Sequence, residues 1–385
     1  MTISKKIKNI ITKIIVAIFN CLPIKNNKIF LFSYYGSQYG CNPKYISEYI
    51  VKNCPDKFDV IWEFNDVSSK EYIRGVRKVK SMTLKYFYEL CTSKVIITNF
   101  RTTDLFKKRK NQYYIQTWHS SLRLKQIEKD AEDSLPENYV KMAQEDSKKC
   151  DLLLSGCKYS TEIFKRAFWY NGEIFEHGTP RNDLLARVDE QYISDVKKKL
   201  NISHNTKVIL YAPTFRKNND LEVYKFDYKN VLKSLKSRFG GEWLFCVKLH
   251  PHLISYSEKL NYDNDVLNLT KYDDIQELLA ISDVLISDYS SLMFDFGLTK
   301  RPCFLYVPDL EEYINQDRKL YFDIEQLPFI STISSTDLIN KIEIFDNEKY
   351  NKELNTFLDS INSFENGNSC KKLVERINEV CFKII

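Results

Sequence analysis

In "LISDYSSLMFDFG" (residues 285–297) an apolar run that reads as a buried strand passes into one that reads as a buried helix, with Asp288, Ser290 and Ser291 at the joint. The first N–H groups of a helix lack intrahelical partners and lie at the positive end of its dipole, so a phosphate can dock there and serine hydroxyls can add bonds. Simple capping is the alternative; it accounts for one serine but not for both, nor for Asp288 before them. Asp295 lies one helical turn after Ser291, in position to reach a ribose hydroxyl. Asp288 reads as a residue that fixes the loop.

Three further stretches carry groups of the same kind. "YAPTFR" (211–216) offers Pro213, Thr214 and Arg216, a hydroxyl and a guanidinium suited to phosphate oxygens. "KLHPH" (248–252) offers a fixed cation, Lys248, and two imidazoles that titrate near neutrality, His250 and His252. "TWHSS" (117–121) supplies Trp118, His119, Ser120 and Ser121, with Arg123 and Lys125 following. Arg181 sits in the turn-rich "HGTPRND" (177–183). No third soft ligand stands at a recognisable spacing from the paired histidines, so no metal is expected, and no cofactor. A base on one lobe and a phosphate-gripping pocket on the other suit transfer from an activated phosphate to a hydroxyl.

The elements that must position these groups form an alternating series. "KIFLFSYYG" (28–36), "FDVIWEF" (58–64), "KVIITN" (94–99), "YYIQTW" (113–118) and "DLLLSG" (151–156) are short apolar runs separated by longer helical patterns. After residue 183 the pattern restarts with "KVILYAPT" (207–214), "WLFCVKLHP" (243–251), "VLNLT" (266–270), "DVLISD" (283–288) and "CFLYV" (303–307). This is the signature of α/β architecture with parallel, doubly wound sheets, in which ligands bind beyond the carboxyl ends of the strands. Those ends are where the polar residues above fall. A length of 385 residues fits two domains, expected at 24–183 and 184–385.

The basic excess is local. Residues 1–28 hold six lysines and no acid, and the remainder of the chain is balanced at 51 basic against 51 acidic residues, which excludes a general nucleic-acid surface. In "ISKKIKNIITKIIVAIFNCLP" isoleucines recur at helical spacing with lysines between, so residues 1–23 read as an amphipathic helix. Its longest apolar run, Ile14 to Phe19, is far short of the roughly 20 residues that cross a bilayer, so the segment is expected to lie on an anionic membrane surface. Ten cysteines without a CxxC pair, and no convincing secretory signal, read as reduced thiols in a cytosolic protein. The acidic "EKDAEDSLPEN" (128–138) reads as a solvated loop.

"TWHSS", "GTPRND", "YAPTFR", "KLHPH" and "SDYSSLMFDF", in this order and spacing, resemble the CDP-glycerol glycerophosphotransferase family of teichoic acid primases, polymerases and capsule-associated relatives. The resemblance covers roughly residues 28–330. It implies a GT-B type fold, two facing Rossmann-like domains with a cleft between them, attached peripherally to the cytoplasmic membrane face. It also implies transfer of a polyol phosphate from CDP-glycerol or CDP-ribitol to a lipid-linked glycan or polyol-phosphate acceptor, with release of CMP. By motif, His119 and His250 are the catalytic pair. Trp118, Ser120, Ser121, Arg181, Pro213, Thr214, Arg216, Lys248, Ser290, Ser291 and Asp295 would line the donor pocket, supported by Asp288 and His252. The family usually reads Trp-His-Gly-Thr-Pro with a lysine shortly after; this chain has Ser120, Ser121 and Leu122, with Lys125 one place later. A GT-B glycosyltransferase using a nucleotide sugar for surface polysaccharide would employ the same phosphate-gripping groups, and so stands as the alternative.

Overall fold

The structure is a computed structural model that describes residues 3–68, 72–103, 106–187, 189–216, 221, 224, 227–258, 265–316 and 319–383, with side chains described from residue 9 onward. The chain forms two compact units. The first comprises Met1–His119, Ile127–Asp183 and Phe364–Ile385; the second comprises Ser120–Gln126 and Leu184–Ser363.

The first unit is built on seven parallel strands: β1 (Lys25–Phe32), β2 (Asp59–Phe64), β3 (Val76–Lys80), β4 (Ser93–Thr98), β5 (Tyr113–Gln116), β6 (Leu152–Leu154) and β7 (Glu173–Phe175), in the order β3-β2-β1-β4-β5-β6-β7. Both faces of this sheet are covered, as continuous apolar strands demand. Ile29, Leu31, Val95, Ile97 and Ile115 point to one core, and Phe30, Ile96 and Tyr114 to the other. The strand order reverses direction between β1 and β4, so their carboxyl ends flank a crevice where a loop or ligand can enter.

The second unit repeats the plan with β8 (Lys207–Tyr211), β9 (Trp243–Val247), β10 (Val266–Asn268), β11 (Val284–Ser287), β12 (Cys303–Tyr306) and β13 (Ile330–Thr332), ordered β10-β9-β8-β11-β12-β13 and again parallel. Its reversal falls between β8 and β11, the strands that lead into Thr214 and Asp288.

Two boundaries differ from the contiguous division expected at residue 183. The helix Ser369–Phe382 returns to the first unit, where Leu373, Val374, Ile377 and Cys381 join the core of Ile29 and Leu31. Asp183 secures that return by accepting the N–H groups of Ser369 (2.9 Å) and Cys370 (2.7 Å) at the helix start. Residues 120–126 leave the first unit for the second, where Gln126 and Tyr321 pair backbone to backbone with Lys319 and Leu124.

The N-terminal helix, Ile3–Phe19, carries apolar residues on two sides instead of one. Val16, with Ile15 and Phe19, packs on Phe87, Cys91 and Tyr86 of the helix Leu84–Thr92. Ile10, Ile11, Ile14 and Ile18, on the far side, stand 51–60% exposed. Arg109 pins the exit of the helix by donating to the carbonyls of Leu22 (2.7 Å) and Cys91 (3.0 Å). Among the described residues no helix is long and apolar enough to cross a membrane. Lys28, counted above with the basic segment, is buried in β1 and paired with Glu89 at 2.5 Å, so it contributes nothing to a basic surface. The acidic stretch departs from expectation too: Glu128 is buried against Arg101 and Tyr139, because a buried guanidinium requires an acidic partner.

Candidate functional site

Of the residues expected at the site, the first unit holds Trp118, His119 and Arg181. β5 ends at Gln116, whose buried carboxamide donates to Tyr114 Oη (3.0 Å) and the Phe100 carbonyl (2.9 Å) and accepts the Trp118 N–H at 3.0 Å. Trp118 turns the chain with φ +49°, a left-handed conformation that is costly for a bulky residue and must be held by its surroundings. Phe168 meets the indole edge-on at 5.0 Å, and the Arg101 guanidinium lies 3.7 Å over the Phe168 ring. Arg101 is held in turn by Glu128 (2.9 Å), Asp146 (3.3 Å) and Ser147 (2.8 Å). The His119 ring stacks on Trp118 at 4.8 Å, with Tyr34 at 6.3 Å on a nearly parallel plane.

Asn42, which sequence reasoning did not single out, touches the carbonyls of Thr117, Trp118 and His119 and the N–H of Arg181. Its position just inside a helix start after a glycine, in "YGCNP", was the available signal. Arg181 itself is buried, its guanidinium 3.4 Å from the Cys41 thiol. Trp118 is likewise buried.

The second unit gathers the remaining candidates beyond β8, β9 and β11. Asp288 accepts the Thr214 N–H with both carboxylate oxygens (2.9 and 3.1 Å) and pairs with Arg216 at 2.8 Å. Arg216 also donates to Asp309 (2.7 Å), to Thr214 Oγ1 (2.7 Å) and to the Thr214 carbonyl (2.9 Å), and lies over the rings of Tyr289 and Tyr313. Burial alone would lower the Arg216 pKa, but the two carboxylates outweigh it and hold the charge firmly. The guanidinium expected to grip phosphate is therefore committed to two acids and a loop, and Asp309, Tyr289 and Tyr313 complete a brace that no local motif announced.

The turn after Asp288 also differs from expectation. The helix it starts, Leu292–Gly297, is only six residues long. Its N–H groups are taken up within the turn: Leu292 donates to Ser290 Oγ (3.3 Å), Met293 to the Ser290 carbonyl (3.3 Å) and Phe294 to the Ser291 carbonyl (3.2 Å). Ser291 Oγ accepts the Leu124 N–H at 3.1 Å, and the buried Asp295 accepts the Ser121 N–H at 3.4 Å. Ser291 and Asp295 thus hold segment 120–126. Ser120 and Ser121 are buried in that segment, the Ser120 hydroxyl donating to the Leu122 carbonyl (2.9 Å) and accepting from Arg123 (2.8 Å).

The same segment delivers Lys125, whose ammonium lies 5.0 Å over the Tyr313 ring. Lys248, at the end of β9, donates to the carbonyls of Tyr272 (2.7 Å) and Thr270 (3.2 Å); burial pulls its pKa down to about 8 against the opposing pull of Asp273 and Asp274. His250 Nδ1 accepts the His252 N–H at 3.3 Å, which places the ring proton of a neutral imidazole on Nε2. Burial, then the neighbouring His252, Lys125 and Lys248, push His250 down to about 4. Pro213 is buried behind Thr214, and Phe215 lies against both imidazoles at 5.7 and 5.4 Å. The outcome is a neutral N–H donor beside two lysines beyond the carboxyl end of β9, an arrangement suited to an anionic, phosphate-bearing ligand.

Comparison with known proteins gives the same direction. The family model for CDP-Glycerol:Poly(glycerophosphate) glycerophosphotransferase matches residues 14–379. A teichoic acid poly(glycerol phosphate) polymerase of Bacillus spizizenii is 35% identical over 95% of this chain and 96% of its own. A teichoic acid glycerol-phosphate transferase of Staphylococcus aureus is 32% identical over 97% and 99% respectively. Among solved structures, a histidine-to-asparagine variant of the wall teichoic acid polymerase TagF soaked with CDPG superposes with a TM-score of 0.85 at 31% identity, covering 98% of this chain and 96% of that one.

Two outcomes follow from the second unit's geometry. Arg216→Met leaves Asp288 and Asp309 without their buried cation and should cost about 3–5 kcal/mol in chemical denaturation. Arg216→Lys should recover less than half of that loss, because an ammonium cannot serve both carboxylates and the Thr214 carbonyl in one plane. The His250 imidazole, followed by NMR, should titrate with a midpoint near pH 4, well under an ordinary histidine. The unfolded chain takes up this proton near 6.5 and the folded chain near 4, so His250 removes stability as pH falls through that window, and His250→Asn abolishes that component.

Proposed function

Because the chain belongs to the CDP-glycerol:poly(glycerophosphate) glycerophosphotransferase family, we propose that it transfers glycerol phosphate from CDP-glycerol to a hydroxyl of a lipid-linked, teichoic-acid-type acceptor and releases CMP. The acceptor oxygen forms a bond to the phosphorus that bears glycerol, the bond from that phosphorus to the bridging pyrophosphate oxygen breaks, and CMP departs with the electron pair. His119 takes the proton of the attacking hydroxyl. His250, neutral and carrying its proton on Nε2, donates a hydrogen bond to a phosphate oxygen, while Lys125 and Lys248 supply positive charge beside it. The observation that carries this assignment of roles is the His250 Nδ1 contact with the His252 N–H, since an imidazole whose Nδ1 already accepts is a donor at Nε2. Ser290 and Thr214 are the hydroxyls proposed to touch the pyrophosphate. The two doubly wound units support the GT-B label that the motif resemblance implies.

Recombinant full-length protein with CDP-glycerol and a lipid-linked glycerol phosphate acceptor should release CMP, with CDP-ribitol a poorer donor. His119→Ala and His250→Ala should each lower kcat by about a hundredfold or more. Full rate in both variants would falsify the proposed roles.

We propose in addition that the N-terminal helix rests on an anionic membrane surface through Ile10, Ile11, Ile14 and Ile18. Their exposure supports this reading, as does Lys13 on the same helix, while Val16 remains against the body of the first unit. Burying an isoleucine is worth about 1.5–3 kcal/mol, so three together suffice for reversible attachment. The triple variant Ile10→Asp, Ile14→Asp, Ile18→Asp should lose at least tenfold in co-sedimentation with phosphatidylglycerol vesicles while keeping its thermal midpoint. Unchanged sedimentation would remove the helix from the membrane contact.

A further inference from the structure

We propose that Asn42 is a positioning residue for His119, holding its turn against the backbone of Arg181, an inference that rests on the catalytic reading of His119. Asn42 is fully buried near the start of the helix Cys41–Asn53. Its Nδ2 group donates to three successive carbonyls, those of Thr117 (3.3 Å), Trp118 (3.2 Å) and His119 (3.0 Å). Its Oδ1 accepts the backbone N–H of Arg181 at 3.0 Å. Carbonyls of consecutive residues converge on one donor only where the chain curls around it, and the left-handed Trp118, φ +49°, supplies that curl. The carboxamide therefore holds a backbone shape that the tryptophan would not adopt unaided, and that shape aims the next side chain, His119.

A carboxamide is the side chain that both requirements select. Aspartate would offer the acceptor for Arg181 but would set a carboxylate against three carbonyl oxygens. Serine is too short to reach both loops, and leucine of the same size can bond to neither. Cys41 reinforces the arrangement: it too is left-handed, φ +59°, and its sulfur accepts from the Arg181 guanidinium at 3.4 Å. Adjacent residues thus fix the backbone and the side chain of Arg181, while one of them also fixes the turn that carries His119. Loops from β5 and from beyond β7, separated by more than 60 residues in sequence, are set by a single amide.

The test compares four full-length proteins in steady-state kinetics with CDP-glycerol: the unaltered chain, Asn42→Asp, His119→Ala and the double variant. Asn42→Asp should fold, lower kcat about tenfold or more, and leave KM for CDP-glycerol within twofold, because misplacing a reacting group costs rate more than binding. In the His119→Ala background the same change should cost nothing further, since its effect passes through His119. Backbone amides of 118–120 should exchange with solvent faster in Asn42→Asp. Should that variant not accumulate in folded form, Asn42→Ser, which keeps a neutral hydroxyl donor, is carried through the same measurements. A kcat within twofold of the unaltered chain, or losses that multiply in the double variant, would overturn the proposal. Full rate in His119→Ala would overturn the catalytic reading beneath it, an outcome distinguishable because it involves no change at Asn42.

Discussion

Where β8 and β11 stop pairing, the backbone groups just past the last rung of the ladder still need partners, and the Asp288 carboxylate meets that need. It accepts the Thr214 N–H with both oxygens and attracts the Arg216 guanidinium. The loop beyond β8 is organised around this one anion. Arg216 is drawn in to neutralise it, Asp309 is needed because one guanidinium offers more donors than Asp288 can accept, and Tyr289 and Tyr313 close over the pair as a stacked, water-excluding wall, 3.7 Å apart. Burial works to raise the Asp309 carboxyl, yet the Arg216 bonds outweigh it and leave it below its ordinary value, so the brace is charged on both sides at neutral pH. A buried ion network of this kind contributes little net stability relative to apolar packing, but breaking one member is costly, which makes the loop geometry all-or-none.

The first unit solves the equivalent problem without charge at the turn itself. Gln116 and Asn42, both neutral amides, capture the Trp118 N–H and the carbonyls of residues 117–119, and the ionic cluster of Arg101, Glu128 and Asp146 stands one layer behind. The His119 imidazole has the Trp118 and Tyr34 rings for neighbours. His250 is held neutral first by burial and then by the neighbouring His252, Lys125 and Lys248. The two sheets share the order of their first six strands, and the imidazoles beyond their carboxyl ends sit in different surroundings, aromatic rings in the first and lysines in the second.

Much of the architecture is legible in the sequence because parallel strands buried on both faces must be continuously apolar, and ten such runs stand out. β3, β7 and β13 escape that reasoning: "VRKVK", "EIF" and "IST" are edge strands, short or charged, whose pairing depends on a neighbour already in place. The return of the helix Ser369–Phe382 to the first unit is illegible for a related reason, since its apolar face would fit any sheet and only the Asp183 cap specifies which. Among the site residues, His250, Lys248 and Asp288 lie at strand ends where the argument from topology places them. Arg216, Ser291 and Asp295 have the right chemistry for phosphate and ribose, but sequence does not reveal that each already has a protein partner. Asn42, Asp309 and Tyr313 are distant in sequence from the groups they hold, and no spacing rule reaches them.

The departure from the family pattern at residues 120–122 can be read in the same physical terms. A Gly-Thr-Pro turn is held by the backbone freedom of glycine and the rigid ring of proline. Here the turn is held by bonding: the Ser120 hydroxyl donates to the Leu122 carbonyl, Arg123 donates to the Ser120 hydroxyl and carbonyl, and Ser121 is anchored on Asp295. Leu124 is fastened to Ser291, and the next residue is Lys125, over Tyr313. The segment therefore reaches its place by hydrogen bonds to the very serine and aspartate that a motif would assign to the donor. Its product is a lysine set against the ring that also braces Arg216, so the cation beside His250 and the anion at Asp288 are coupled through one tyrosine.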